Sequence, residues 1–317
     1  MSRKVDLIIN NLRKEVVHTL HPLETFFIEI NSTCNLNCKH CYIPVEQKQF
    51  VLPMEIIEKI LEEIYKIWGN SVGIAITGGE PLIHPNFNKI LNVLKKYNYH
   101  WSLATNGLFL TTKIIKNIKE KGCNAITISL DGNKETHDFQ RGKKDSFEEV
   151  LKKIDLLIEN NFPEIYLTAT IHDENIYSLK DIAVLIRKYG TKVNWRLNPL
   201  LQCENVQKNN IKISKDTVNR LCEFVKSIQN EVRAQILVGE KNPLSIKYGE
   251  YLFSEFDSCF AGISTFGLLS NGDFANCMVC REKPLANIRD AYSLKDIWDN
   301  ENLEKKGLCD RHLESKH

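Results

Sequence analysis

The 317-residue chain carries ten cysteines, unevenly spaced. Three fall within eight residues, in Cys34-Asn35-Leu36-Asn37-Cys38-Lys39-His40-Cys41, a C-x3-C-x2-C pattern. Four more follow late, at Cys259, Cys277, Cys280 and Cys309, while Cys123, Cys203 and Cys222 stand alone. Clustered cysteines read as metal ligands, and lone ones as small buried hydrophobes. Thiolate-rich sites select zinc or iron–sulfur clusters. A structural zinc site takes four ligands and closes. Three thiols are too few for that, unless His40 joins them. They do suit a cubane cluster that keeps one iron open for a substrate or cofactor.

The rest of the composition excludes several other chemistries. With 42 basic and 40 acidic residues the net charge is +2, which offers no electrostatic case for nucleic acid or an anionic membrane surface. Basic patches interleaved with aromatics are lacking too. The sequence has no apolar run near the roughly 20 residues of a membrane span. The first 20 residues, MSRKVDLIINNLRKEVVHTL, lack the apolar core and small-residue cleavage site of a secretory signal. They read as a short amphipathic helix. A cytoplasmic protein is expected, in a compartment where thiols stay reduced.

The elements that must position the cysteines follow a simple alternation. Six short apolar runs, TFFIEI (25–30), VGIAIT (72–77), WSLAT (101–105), AITISL (125–130), EIYLTATI (164–171) and KVNWRL (192–197), read as buried strands. Between them lie segments with helical spacing, such as PMEIIEKILEEIYKIW at 53–68. Strand–helix repeats predict a parallel sheet with crossover helices. Six strands predict an α/β fold, a partial (β/α)6 TIM barrel, whose active residues belong at the C-terminal strand ends. The chemical candidates fall there: the cysteine triplet after the first strand, Gly78-Gly79-Glu80-Pro81 after the second, Thr105-Asn106-Gly107 after the third, and Asp131-Gly132 after the fourth. Three regions are expected: a helical extension over 1–23, the barrel over 24–235, and a small Cys-rich domain over 236–317. In the last, Asn271-Gly272 marks a hairpin turn and SLKDIWDN a short helix.

The cysteine triplet in this position, with His40 in an aromatic place before the third cysteine, resembles the radical S-adenosylmethionine (SAM) superfamily. The resemblance covers about residues 25–200 and rests on four strand-end motifs in order. It implies a [4Fe-4S] cluster held by Cys34, Cys38 and Cys41, whose open iron chelates SAM. Gly78, Gly79 and Glu80 would help hold the SAM amino group, since glycines admit close backbone approach and Glu80 can accept from an ammonium. Asn106 belongs to the third-strand segment, Ser129 would lie near the ribose, and Arg141, downstream of His137, near the methionine carboxylate. The implied chemistry is one-electron cleavage of SAM to a 5′-deoxyadenosyl radical, which abstracts a hydrogen atom from a substrate. An electron donor such as flavodoxin or ferredoxin is implied as a partner.

The tail resembles the auxiliary-cluster domains, of SPASM and twitch type, appended to many members of this superfamily. Its segments include Asn271-Gly272-Asp273, Pro284-Leu285-Ala286-Asn287-Ile288 and Leu294-Lys295-Asp296-Ile297-Trp298. The resemblance implies one auxiliary [4Fe-4S] cluster on Cys259, Cys277, Cys309 and a fourth ligand. That ligand is Cys280, His312 or an exogenous group. If it is not Cys280, that thiol is free beside the cluster and becomes a catalytic candidate, returning a hydrogen atom to a substrate radical. Cys203 is a weaker candidate for the same role. The substrate class expected from the tail is a peptide, undergoing epimerisation or crosslinking in natural-product maturation. The alternative is a small molecule such as a sugar or aminocyclitol, undergoing dehydrogenation or epimerisation. The short stretch ahead of the first strand argues against an added leader-binding domain. Arg196 and Asp131 are expected at the barrel mouth.

Overall fold

The computed structural model describes residues 22–47, 49–201, 203–238, 261–279, 281, 283–290 and 292–299. The alternation read from sequence is present. Strand β1 spans Thr25–Asn31 and helix α1 spans Met54–Trp68. There follow β2 (Gly73–Gly78), α2 (Phe87–Lys96), β3 (Trp101–Thr105), α3 (Thr112–Glu120) and β4 (Cys123–Ser129). Two helices, α4 (Lys134–Arg141) and α5 (Ser146–Glu159), precede β5 (Glu164–Ile171). Then come α6 (Leu179–Tyr189), β6 (Asn194–Pro199), α7 (Glu204–Lys208), α8 (Lys215–Ile228) and β7 (Ile236–Val238). The C-terminal part adds β8 (Thr265–Leu268), β9 (Asp273–Ala275), β10 (Ala286–Asn287) and α9 (Leu294–Trp298).

All ten strands form one sheet, in the order β10-β9-β8-β1-β2-β3-β4-β5-β6-β7. From β1 to β7 every pairing is parallel. Parallel neighbours need crossover connections, and the helices between strands supply them. Period-2 alternation then sorts the side chains. Ile28, Ile76, Leu103, Ile128, Leu167 and Leu197 point to the helices and join the main core. Glu29, Thr77, Ser129, Thr168 and Arg196 occupy the alternate positions and form the inner wall. Register places Glu29 beside Thr77, and Ser129, Thr168 and Arg196 side by side. A closed barrel fills its interior with branched apolar side chains. This inner wall instead carries polar side chains, Glu29, Thr77, Ser129, Thr168 and Arg196.

The structure departs from the expected organisation in three places. A seventh parallel strand, β7, lies past the expected boundary at 235 and pairs with β6. Only three residues long, it lacks the length that makes an apolar run readable. The β8–β9 hairpin forms around Gly272, whose φ of 93° suits the turn. That hairpin does not stand apart, because β8 pairs with β1 in parallel and extends the barrel sheet. Gly267 permits this approach, since a Cβ there would lie 2.3 Å from the Phe27 carbonyl oxygen. Finally, α4 is a helix that hydrophobic periodicity does not announce. Asn133 caps it, accepting from the Thr136 N–H at 3.2 Å. Of the expected N-terminal extension, residues 1–21 lie outside the described residues. So do Cys259, Cys280, Cys309 and His312.

Candidate active site

The loop that leaves β1 carries Cys34, Cys38 and Cys41 on one short path, all half-buried. Its backbone is held from three directions. Behind it, Gly79 N–H donates to the Asn31 carbonyl and Glu80 N–H to the Thr33 carbonyl. A Cβ on Gly78 would stand 2.4 Å from the Asn31 oxygen, and one on Gly79 would stand 2.3 Å from the Thr33 oxygen. Only glycines let these two strand ends close up. From the side, the C-terminal end of α4 receives the loop: Lys39 N–H donates to the Gln140 carbonyl at 3.0 Å. The Lys39 ammonium lies 3.2 Å above the Phe139 ring. From beyond β6, Asn205 Nδ2 donates to the carbonyls of Cys41 (2.9 Å) and Ile43 (2.7 Å), and Asn209 Nδ2 to that of Lys39 (3.1 Å).

This asparagine clamp escapes a reading of the sequence. Asn205 and Asn209 stand four residues apart, which puts them on one helical face, but nothing local says what that face meets. Cys203 belongs to the same assembly. It is buried with Leu200, Val206 and Ile211 against Tyr42, and its Sγ lies 3.6 Å from the Cys41 carbonyl. Cys123 and Cys222 sit in the main core, as lone cysteines should. Tyr42 is more than a packing residue: its hydroxyl reaches Thr77 at 3.4 Å.

N–H groups converge on the triplet sulfurs. Leu36 N–H points to Cys34 Sγ at 3.4 Å, and Asn106 Nδ2 to the same sulfur at 3.9 Å. Arg141 Nη1 lies 3.6 Å from Cys38 Sγ. Burial pushes the free Cys34 thiol up to about 11, with Cys38, Glu80 and Cys41 adding to the rise. Donors aimed at sulfur stabilise thiolates and tune the potential of a cluster they hold.

Glu80 is fully buried and its carboxylate is already engaged. Oε1 accepts from the Thr105 hydroxyl (2.7 Å) and Leu82 N–H (3.1 Å), and Oε2 from Asn106 N–H (2.8 Å). The expected acceptor for an ammonium thus spends three of its roughly four acceptor positions tying the end of β2 to the end of β3. Burial raises its pKa, against those three bonds. Asn106 in turn donates to Asn35 Oδ1 at 2.8 Å, inside the cysteine loop. Ser129 lies at the end of β4 beside Thr168, on the inner wall.

Asp131 organises the opposite side. It is fully buried and accepts from Arg141 Nε at 2.6 Å and Thr170 N–H at 3.1 Å. His40 Nε2 stands 3.9 Å away. Burial pushes the Asp131 carboxyl up, but Arg141, His40, His137 and the Thr170 N–H outweigh it and hold it at about 2. His40 is buried and its pKa is lowered, and Nδ1 meets Gln140 Oε1 at 3.3 Å. The guanidinium expected near a methionine carboxylate therefore bridges Asp131 and a triplet sulfur. Arg196 lies over the Tyr166 ring at 4.9 Å, on the inner wall.

His172, completely buried after β5, gives this region a pH dependence. Its Nδ1 accepts from Glu174 N–H at 3.3 Å. Burial, reinforced by His40, holds its pKa down to about 4. The unfolded chain takes that proton near 6.5, so stability is full above about 6.5 and declines as pH falls to 4. At most about 3 kcal/mol is at stake, from roughly 2.5 pKa steps at 1.36 kcal/mol each. His172→Asn keeps an acceptor for Glu174 and removes the titration. Thermal melts across this range should slope less in the variant, and parallel slopes would assign the acid sensitivity elsewhere.

Comparison with known proteins agrees with this geometry. A match to the Radical SAM superfamily spans residues 28–186. Over 182 residues the chain is 33% identical to the antilisterial bacteriocin subtilosin biosynthesis protein AlbA of Bacillus subtilis (strain 168), covering 55% of this chain and 39% of AlbA. It is 30% identical over 169 residues to the AdoMet-dependent heme synthase of Methanosarcina barkeri (strain Fusaro / DSM 804), covering 51% and 46% of the two chains. The chain thus spans less than half the length of these curated relatives. The fold matches the crystal structure of Streptococcus suis SuiB bound to its precursor peptide SuiA, with a TM-score of 0.68 at 20% identity over 93% of this chain and 70% of that one. The superfamily match covers half of this chain, including the cysteine loop and the ends of β1 to β5, and the protein belongs to the Radical SAM superfamily.

Proposed function

We propose that this chain is a peptide-modifying radical SAM enzyme acting in natural-product maturation by epimerisation or crosslinking. One observation carries the reading: three thiols on the loop leaving β1 are met by N–H donors from the loop itself and from the segments after β3 and β4. The superfamily uses a [4Fe-4S] cluster that binds SAM, and the donor set here fits it. Cys34, Cys38 and Cys41 would hold that cluster, which supplies one-electron cleavage of SAM. Leu36, Asn106 and Arg141 present N–H groups to the sulfurs. Asn205 and Asn209 hold the loop carbonyls, while Gly78 and Gly79 admit close backbone approach. Cys259, Cys277 and Cys309 would hold the auxiliary cluster with Cys280, His312 or an exogenous group as the fourth ligand, and Cys280, where it is not a ligand, would be the hydrogen donor. SuiB and AlbA, one caught with a precursor peptide and the other a bacteriocin biosynthesis protein, support a peptide substrate.

The heme synthase relative favours a second reading, a small-molecule substrate rather than a peptide. Product analysis in deuterated water separates the two. Reconstituted full-length protein, SAM and reductant should place one deuteron in a peptide by α-carbon inversion, or remove two hydrogens by crosslinking. No helix of the described residues is long and apolar enough to cross a membrane, so the assay needs no lipid on that account. A panel of peptides left unchanged beside a turned-over small molecule would overturn the peptide assignment.

A further inference from the structure

Glu29 is a carboxylate on the inner wall of β1, completely buried two residues before the strand ends. An isolated charge there would be strongly disfavoured. Its partner comes from the other end of the chain: Arg281 Nη2 pairs with Glu29 Oε2. The Arg281 side chain is itself 5% exposed. The C-terminal part supplies a further donor, the Ser270 hydroxyl, 2.5 Å from Glu29 Oε1.

The same guanidinium reaches a third segment. Its Nη1 donates to Gln47 Oε1 at 3.0 Å, and its Cζ lies 5.5 Å from the Tyr42 ring centroid. Tyr42 directly follows Cys41, and the arm from Tyr42 to Gln47 carries the chain away from the cysteine triplet. Arg281 therefore joins β1, that arm and its own loop, which also holds Cys277. Buried ion pairs stabilise poorly compared with apolar packing, but their directional forks define a single arrangement.

We propose that Arg281 is a positioning residue that sets the Cys277 loop against the arm leaving Cys41. Cys277 is thereby held in a fixed relation to the triplet loop. The inference rests on the function proposed above only in taking both groups to serve one substrate.

The test compares Arg281→Met, Arg281→Lys, Glu29→Gln and the double variant Glu29→Gln/Arg281→Met in reconstituted full-length protein. Amide hydrogen exchange is followed in peptides covering 42–50 and 265–279, alongside thermal melts and the EPR signal of the reduced, SAM-treated protein. Either charge-breaking single variant leaves a buried unpaired group and should melt early. The double variant should recover most of that loss. If Arg281 positions the arm, exchange at 42–47 stays about tenfold faster than wild type in the double variant, and the EPR signal remains altered. Arg281→Lys, which keeps the charge without the planar fork, should rescue stability more than it rescues exchange at 42–47. Should exchange and EPR return to wild type with the melting temperature, the pair is only structural and the proposal is overturned. These readouts need no substrate, so they stand or fall separately from the peptide assignment.

Discussion

Replacing Cys34, Cys38 and Cys41 together by alanine should abolish SAM cleavage and lower the iron content of anaerobically reconstituted protein from about eight to about four per chain, one cubane cluster remaining. The three thiols lie on one loop whose carbonyls are held by Asn205 and Asn209 and whose sulfurs receive N–H groups from Leu36, Asn106 and Arg141. The asparagine contacts are made to backbone carbonyls and do not involve the sulfurs, so the variant should keep its barrel and lose only the cluster. Circular dichroism checks the first point and iron and sulfide assays the second. The residual iron would then be assigned to the C-terminal cysteines, of which Cys277 lies among the described residues. If wild type instead holds about four irons and the variant none, the C-terminal segment carries no cluster. The triplet would keep its role, but the auxiliary chemistry behind epimerisation or crosslinking would lose its support.

The second large effect concerns stability. Asp131→Asn should cost about 3–5 kcal/mol, the usual penalty for leaving one member of a buried ion pair uncompensated. Asp131 is fully buried, and Arg141, its partner at 2.6 Å, has a side chain only 10% exposed. The loss should be visible as a drop in the denaturation midpoint with little change in slope. Asp131→Asn/Arg141→Met removes both charges and should recover much of it, because the cost lies in the orphaned guanidinium. The carboxyl is held near 2 by Arg141, His40 and His137 against the upward push of burial. A depressed carboxylate contributes its stability above its unfolded pKa near 4 and loses it as pH falls through 2. The penalty should therefore be constant from pH 7 down to about 4 and shrink only below that. A variant whose midpoint matches wild type at neutral pH would show that Arg141 finds another anion.

Much of this site is legible without coordinates. The C-x3-C-x2-C triplet, the adjacent glycines 78 and 79 and the polar residues ending β3 and β4 announce themselves through type and spacing. Each sits where period-2 runs stop, and in a parallel sheet those stops share one edge. The roles of individual side chains are less legible. Glu80 reads as a ligand-binding carboxylate, yet it spends itself on Thr105, Leu82 and Asn106. Arg141 reads as an anion binder, yet it reaches both Asp131 and Cys38. Type and position along the chain specify which groups reach the mouth. They do not specify which groups face each other once there.

By itself, the sequence determined the alternation of strands and helices, the parallel sheet and the edge on which the cysteine loop stands, because these follow from local periodicity and from glycine at the close approach of β2 to that loop. Only the tertiary structure decided that β8 joins β1, that Asn205 and Asn209 grip the loop, and that Arg281 crosses to Glu29. These contacts, the strand pairing included, join residues 162 to 252 positions apart. A hydrogen bond or ion pair of that kind leaves no periodic trace in the chain, since either partner alone is an ordinary polar residue. It acquires meaning only when folding removes water from around it and an unpaired group becomes costly.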